Sequence, residues 1–259
     1  MDLGIAGRKA IVCASSRGLG KACARALAEA GCEVVMNGRN APTLEAATAE
    51  IANATGAKVT SIAADVATLE GQRVLLAACP APDILINNNA GPPLRDFREL
   101  TRQQMIDGVI ANMIVAVELI QKVIDPMSQR KFGRIVNITS GSVKMPLAGL
   151  DLSSGARAGL TAFLAGVARM VAGNNVTINN ILPGAFDTDR LRGTLAKAAE
   201  QKGVSVEEAA KARAASIPAR RFGDPAEFGA AAAFLCSVQA GYITGQNLLI
   251  DGGTFNGAF

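Results

Sequence analysis

The chain has 259 residues, of which 49% are hydrophobic, and a formal net charge of +4. That supplies apolar material for one sizeable core, and the scattered basic residues form no aromatic-interleaved stripe of the kind that binds nucleic acid. Histidine is absent, which excludes imidazole acid–base chemistry, Ser-His-Asp triads and histidine-bearing zinc sites, and no metal site is expected.

The longest apolar stretches, such as Ala230 to Cys236, are too short to cross a membrane. Met1 to Lys9 lacks the charged and apolar regions of a secretory leader. Cys13, Cys23, Cys32, Cys79 and Cys236 contain no C-x-x-C pair and read as reduced, buried, small hydrophobes of a cytoplasmic protein.

Ala10 to Cys13 is an apolar run of strand length, and Leu19, Cys23, Leu27 and Ala30 recur at helical spacing until Gly31. Between them lies Ala14-Ser15-Ser16-Arg17-Gly18-Leu19-Gly20, a small-residue turn whose backbone N–H groups are free to meet a phosphate. Glu33 to Met36 is a second strand. Alternation continues with a helix from Leu44 to Ala54, a strand from Lys58 to Ala63 and a helix from Leu69 to Ala78. A strand over Asp83 to Ile86 runs into Asn87-Asn88-Asn89-Ala90-Gly91, and one long helical region spans Leu100 to Ser128. Strand Arg134 to Thr139 leads into Ser140, and a helix runs from about Leu152 to Ala172. Strand Val176 to Leu182 closes on Pro183-Gly184. Ala185 to Ala215 is polar and helix-prone, Pro225 to Cys236 is helical and Gln246 to Ile250 is the last strand. Strands alternating with helices predict a parallel sheet covered on both faces, and no linker or repeat divides residues 1–259 into more than a single domain.

Ala14-x-x-x-Gly18-x-Gly20, Asp65-Val66, Asn88-Asn89-Ala90-Gly91, Asn112, Ser140, Pro183-Gly184 with Thr188, and Ile250-Asp251-Gly252-Gly253 stand in order along the chain. In this order and spacing the chain resembles the short-chain dehydrogenase/reductase family, in its compact 3-oxoacyl-(acyl-carrier-protein) reductase-like branch. The resemblance implies an α/β, Rossmann-type, doubly wound parallel sheet that binds a dinucleotide. The backbone around Ser16, Gly18, Leu19 and Gly20 would meet the pyrophosphate. Asp65 and Val66 would flank the adenine, Asn89, Ala90 and Gly91 the adenosine ribose, and Thr188 beside Pro183 and Gly184 the nicotinamide carboxamide. Arg17 in the turn and Arg39 after the second strand, with no carboxylate there, favour NADP over NAD. Ala14 stands where the family carries its first glycine.

The family's working set is Asn, Ser, Tyr and Lys, the last two four residues apart on one helix. Asn112 and Ser140 match it. Ser153 fills the tyrosine position and Arg157 the lysine position, a register supported by Ala158-Gly159-Leu160. An aliphatic hydroxyl is a far poorer acid than a phenol, and a guanidinium with a pKa above about 12 is no proton donor. The expected catalytic residues are therefore Asn112, Ser140, Ser153 and Arg157. A water, or electrostatic stabilisation alone, would stand in for the phenol.

These features imply an oxidoreductase transferring hydride between NADP(H) and a carbonyl or imine of a small-molecule or acyl-chain substrate. Residues 185–215 would form a substrate lid, and a homotetramer or homodimer is implied. The alternative is an NADP(H)-binding sensor or assembly protein without turnover, which the missing Tyr–Lys pair favours.

Overall fold

The computed structural model describes residues 2–258. Its strands are β1 (Lys9–Val12), β2 (Glu33–Gly38), β3 (Val59–Ala63), β4 (Ile84–Asn87), β5 (Gly133–Ile138), β6 (Val176–Pro183) and β7 (Asn247–Ile250). All pair in parallel, in the order β3-β2-β1-β4-β5-β6-β7. Alternate residues of the central strands serve opposite faces, as the pleat requires. Ala10, Val12, Ile84 and Ile86 pack with helices α1 (Gly18–Glu29), α2 (Ala41–Thr55) and α9 (Pro225–Cys236). Ile11, Leu85 and Ile135 face α3 (Leu69–Ala78), α5 (Val115–Gln129) and α6 (Asp151–Val171). The expected doubly wound α/β architecture is what the chain adopts.

All five cysteines are free and buried, and burial pushes the Cys13, Cys23 and Cys32 thiols up to about 12. They serve as small core side chains, not as nucleophiles.

The long helical region expected over Leu100 to Ser128 is present from Arg102 to Gln129, but it is not α-helical throughout. α4 (Arg102–Val109) passes through a π-helical turn at Ile110–Ile114 before α5 begins. Asn112 lies in that turn and its Nδ2 donates to the Gly108 carbonyl at 3.1 Å. Gly108 has no room for a side chain, because a Cβ there would stand 2.5 Å from Leu152 Cδ2. Leu152 of α6 thus packs directly on the helix backbone just before the π-helical turn. Downstream of β6, the polar stretch folds as α7 (Asp189–Lys202) and α8 (Val206–Ala215).

Chain order diverges at the centre of the sheet. β1 to β3 run outward one way and β4 to β7 the other, so the loops after β1 and β4 part and leave a crevice at the carboxyl ends. That edge is levelled by a row of amides. Asn87 Nδ2 donates to Asn137 Oδ1 at 2.9 Å, Asn137 Nδ2 to Asn180 Oδ1 at 3.0 Å and Asn180 Nδ2 to Asn247 Oδ1 at 2.8 Å. Each donor–acceptor pair is also a pair of register partners. Asn137→Leu would leave a buried donor and a buried acceptor unmet, at a cost of about 3 kcal/mol. Thermal unfolding is expected to shift down by several degrees in that variant.

Candidate active site

The first wall of the crevice is the turn between β1 and α1. Ala14 adopts φ +43° and Gly18 φ +58°. Ala14 is the unfavourable case, since its methyl must sit in the left-handed region. Two asparagines hold it there. Asn88 Nδ2 donates to the Ala14 carbonyl at 3.0 Å, and the Ala14 N–H donates to Asn37 Oδ1 at 3.4 Å. Gly20 is required by space, because a Cβ would stand 2.4 Å from the same Ala14 oxygen.

α2, α3, α4, α7, α8 and α9 are each capped at the N-terminus by a side chain, from Asn40, Thr68, Thr101, Thr188, Ser205 and Asp224. α1 has no such cap at Arg17 and no acid in its first turn. Its N–H groups are left facing the crevice, where an anion would satisfy them. Leu19 packs against the core beside them.

Ser16 lies against Gly38, whose Cβ would be 3.4 Å from the Ser16 hydroxyl. Arg17 and Arg39 are both exposed at this end. Arg39 Nη1 lies 3.9 Å from the Asp65 carboxylate, and Val66 is buried with its carbonyl taken by Gln72 Nε2 at 3.0 Å. On the β4 side, Asn89 Oδ1 accepts from the Ala90 N–H at 2.8 Å and Gly91 follows. Pro183 ends β6, and the Gly184 N–H donates to the Ile250 carbonyl at 2.8 Å. Gly184 approaches Asp251 so closely that a Cβ would stand 2.6 Å from its Cα. Thr188 caps α7 through the Leu191 N–H at 3.4 Å, and its methyl stands 3.7 Å from where a Gly18 Cβ would be. The two walls meet there.

At the other end of the crevice, Ser140 follows β5 and its hydroxyl accepts from the Ser142 N–H at 3.1 Å. Ser153 and Arg157 are buried on α6, 5% and 7% exposed, so neither belongs to a solvated helix face. Arg157 Nε donates to Ser153 Oγ at 3.2 Å, and Nη1 donates to the Ile138 carbonyl at 2.8 Å, two residues before Ser140. Burial, reinforced by the neighbouring Arg190 charge, lowers the Arg157 pKa to about 10.

Asn112 and Arg157 line a cavity of about 20 Å³ with Asn87, Asn88, Asn89 and Asn137. Asn87 Oδ1 and Asn112 Oδ1 are buried there without a protein partner, and such a space admits about one water. The cavity lies beside Asn112 and Arg157, not at the Ser153 hydroxyl. The only tyrosine, Tyr242, is fully exposed on the segment leading into β7. A larger concavity of about 820 Å³ between α1, the start of α7 and α9 shares Gly18 and Thr188 with the crevice but none of the four candidate catalytic side chains.

A family model described as Enoyl-(Acyl carrier protein) reductase matches residues 13–254. The chain belongs to the short-chain dehydrogenase/reductase family. It is 31% identical over 252 residues to the NADPH-dependent reductase BacG of Bacillus subtilis, covering 95% of this chain and 97% of that one. It is 32% identical to the 3-oxoacyl-[acyl-carrier-protein] reductase FabG of Vibrio cholerae, with 98% and 99% covered. The crystal structure of L-sorbose reductase from Gluconobacter frateurii, complexed with NADPH and L-sorbose, superposes with a TM-score of 0.94 at 27% identity, covering 99% of this chain and 100% of that one.

Within this short-chain dehydrogenase/reductase, sequence reasoning missed Asn37, Asn87, Asn137 and Arg190. The first three had a signal, an asparagine near the end of an apolar strand in each of β2, β4 and β5, legible once the strands are aligned. Arg190 had none, because its position depends on how α7 leaves Thr188.

Ala14→Gly is expected to raise stability by about 1 kcal/mol, since it removes a left-handed alanine. Differential scanning fluorimetry should register an increase of about 2–4 °C.

Proposed function

We propose that the protein is an NADP(H)-dependent oxidoreductase that transfers hydride between the nicotinamide and a carbonyl or imine carbon, through Asn112, Ser140, Ser153 and Arg157. The observation that carries this reading is the desolvated Ser153–Arg157 pair, bonded internally and clamped to the Ile138 carbonyl at the crevice.

The crevice fits the dinucleotide. The uncapped first turn of α1 and the cradle at Gly20 suit a pyrophosphate, which Ser16, Gly18, Leu19 and Gly20 would hold by backbone. Arg17 and Arg39 would hold the 2′-phosphate, Arg39 turning to it from the Asp65 carboxylate 3.9 Å away. Asp65 and Val66 would flank the adenine, Asn89, Ala90 and Gly91 the adjoining ribose, and Pro183, Gly184 and Thr188 the carboxamide. The BacG and L-sorbose reductase descriptions, which name NADPH, support this choice.

When bound, NADPH supplies the hydride. At the substrate, Ser140 and Ser153 donate hydrogen bonds to the carbonyl oxygen as the C=O π pair moves onto it. The Arg157 charge stabilises the oxygen while it is anionic. The proton that completes the alcohol comes from water, and the cavity beside Asn112 and Arg157 is the route for its supply. α7 and α8 serve as the lid over 185–215, in a single domain that assembles with one or three further copies.

The test is NADPH oxidation across activated ketones, 3-oxoacyl thioesters and cyclic imines. Ser140→Ala should lower kcat about 100-fold while leaving NADPH affinity intact. Arg39→Ala should weaken NADPH about tenfold with little change for NADH. The absent Tyr-x-x-x-Lys pair favours a second reading, a binding protein without turnover. A silent wild type beside an active Ser153→Tyr, Arg157→Lys double variant would establish it.

A further inference from the structure

Two buried amide oxygens beside the crevice have no protein partner. They are Asn87 Oδ1, at the end of β4, and Asn112 Oδ1, in the π-helical turn. Their nitrogens are already bonded, Asn87 Nδ2 to Asn137 Oδ1 at 2.9 Å and Asn112 Nδ2 to the Gly108 carbonyl at 3.1 Å. The direction of the amide row fixes Asn87. Asn137 donates through Nδ2 to Asn180, so it offers only its oxygen to β4, and Asn87 must answer with its nitrogen. Its oxygen is thereby turned away from the row. A buried acceptor left unmet destabilises the fold, so both oxygens call for a donor.

Both asparagines line the cavity of about 20 Å³, together with Arg157 and Ile138. The Ile138 carbonyl takes one of the two Nη1 donors of Arg157 at 2.8 Å, and the other has no protein acceptor among the described residues. Arg157 Nη2 stands on the Gly91 side, 3.6 Å from where a Cβ on that glycine would be. The terminal nitrogens of Arg190, which makes no ion pair among the described residues, come to 3.0 Å and 3.2 Å of the same point. That side belongs to the dinucleotide, and the cavity is a separate place. Two acceptors and one cationic donor define what fits it. A cation is repelled by the Arg157 charge, and an anion by the two carbonyl oxygens. One water matches both the volume and the partners, with two protons for two acceptors and an oxygen for the donor.

We propose that this cavity is the site of one resident water, donating to Asn87 Oδ1 and Asn112 Oδ1 and accepting from Arg157, and that Asn87 is thereby a positioning residue of the active site. The inference rests on the reductase reading and deepens it. The water that supplies the proton has a fixed waiting place beside Arg157, and holding it there needs Asn87 as well as Asn112. Asn87 acts through the water and not on the substrate, because its oxygen is buried.

The test compares the full wild-type chain with Asn87→Leu and Asn87→Asp. Both variants lose the Nδ2 donor to Asn137, but only leucine also removes the acceptor. The probe is water itself, located in crystal structures of the three proteins with NADP⁺ bound. One water within hydrogen-bond distance of both asparagine oxygens is expected in the wild type. It should be kept in Asn87→Asp and lost in Asn87→Leu. In turnover of an activated ketone, Asn87→Leu should lower kcat about tenfold with KM and NADPH affinity unchanged. Asn87→Asp should recover most of that loss. A wild-type cavity without water overturns the proposal, whether or not either variant folds. Equal loss of kcat in both variants also overturns it, because position 87 then acts only through the amide row. The expected water in a wild type that turns over no carbonyl or imine compound upholds the water site and defeats the reductase reading.

Discussion

The row of amides from Asn87 through Asn137 and Asn180 to Asn247 is the constraint on which the crevice depends. Each link joins register partners, so a one-residue slip of any strand would break it and would also turn that strand's apolar residues to the wrong face. Three working segments leave the sheet just beyond this row. Asn88 reaches from β4 to the Ala14 carbonyl. Ile138 offers its carbonyl to Arg157 two residues before Ser140. Pro183-Gly184 begins the segment that carries Thr188 and Arg190. One row of side-chain hydrogen bonds, buried at β4, β5 and β6 and open at β7, therefore fixes the relative heights of loops far apart in sequence. The first amide also shapes the site directly, because Asn87 Oδ1 is the free acceptor end of the row and opens into the cavity beside Asn112.

The same logic explains how Ala14 is tolerated. A left-handed alanine costs about 1–2 kcal/mol. It persists because both its backbone groups are held, the N–H by Asn37 and the carbonyl by Asn88. Asn37 is itself anchored through Nδ2 to the Ile62 and Ala64 carbonyls at 3.1 Å and 3.0 Å. The strain in the turn is borne by β3 and β4 together, and the missing glycine is compensated by polar bracing that a sequence motif does not display.

What was legible in the sequence follows from what is local. Strand and helix positions could be read from period-2 and period-3.6 patterns, down to α3 at Leu69–Ala78. The π-helical turn at Asn112 could not, because the helical spacing runs on through it, and the packing of Leu152 on Gly108 just before it joins residues some forty apart in the chain. Burial of Ser153 and Arg157 was equally hidden, since serine and arginine on a helix carry no inward signature of their own. Arg190 stayed invisible for a further reason. With Asp187, Asp189 and Arg192 around it, only three dimensions show which arginine takes the acids and which is left to cross the crevice.

Arg134 supplies an internal standard for judging Arg157. It too is buried without a carboxylate, and burial lowers its pKa as well. Yet each of its three nitrogens is bonded, with four of the five N–H donors met. Nε donates to the Ser237 carbonyl, Nη1 to the Gly133 and Asn175 carbonyls and Nη2 to Asn175 Oδ1, with its face 4.4 Å from the Phe132 ring centroid. That is how this fold retires a buried cation into a structural role: every nitrogen is bonded, and an aromatic face is added. Arg157 is held as firmly on two of its nitrogens but keeps the third open at the crevice, facing a second unpaired guanidinium. Burying a charge costs several kcal/mol unless its partners are supplied. A side chain meant only to pack could have been apolar at that position without the cost. Among the described residues the shell around Arg157 is therefore incomplete where that around Arg134 is closed nitrogen by nitrogen.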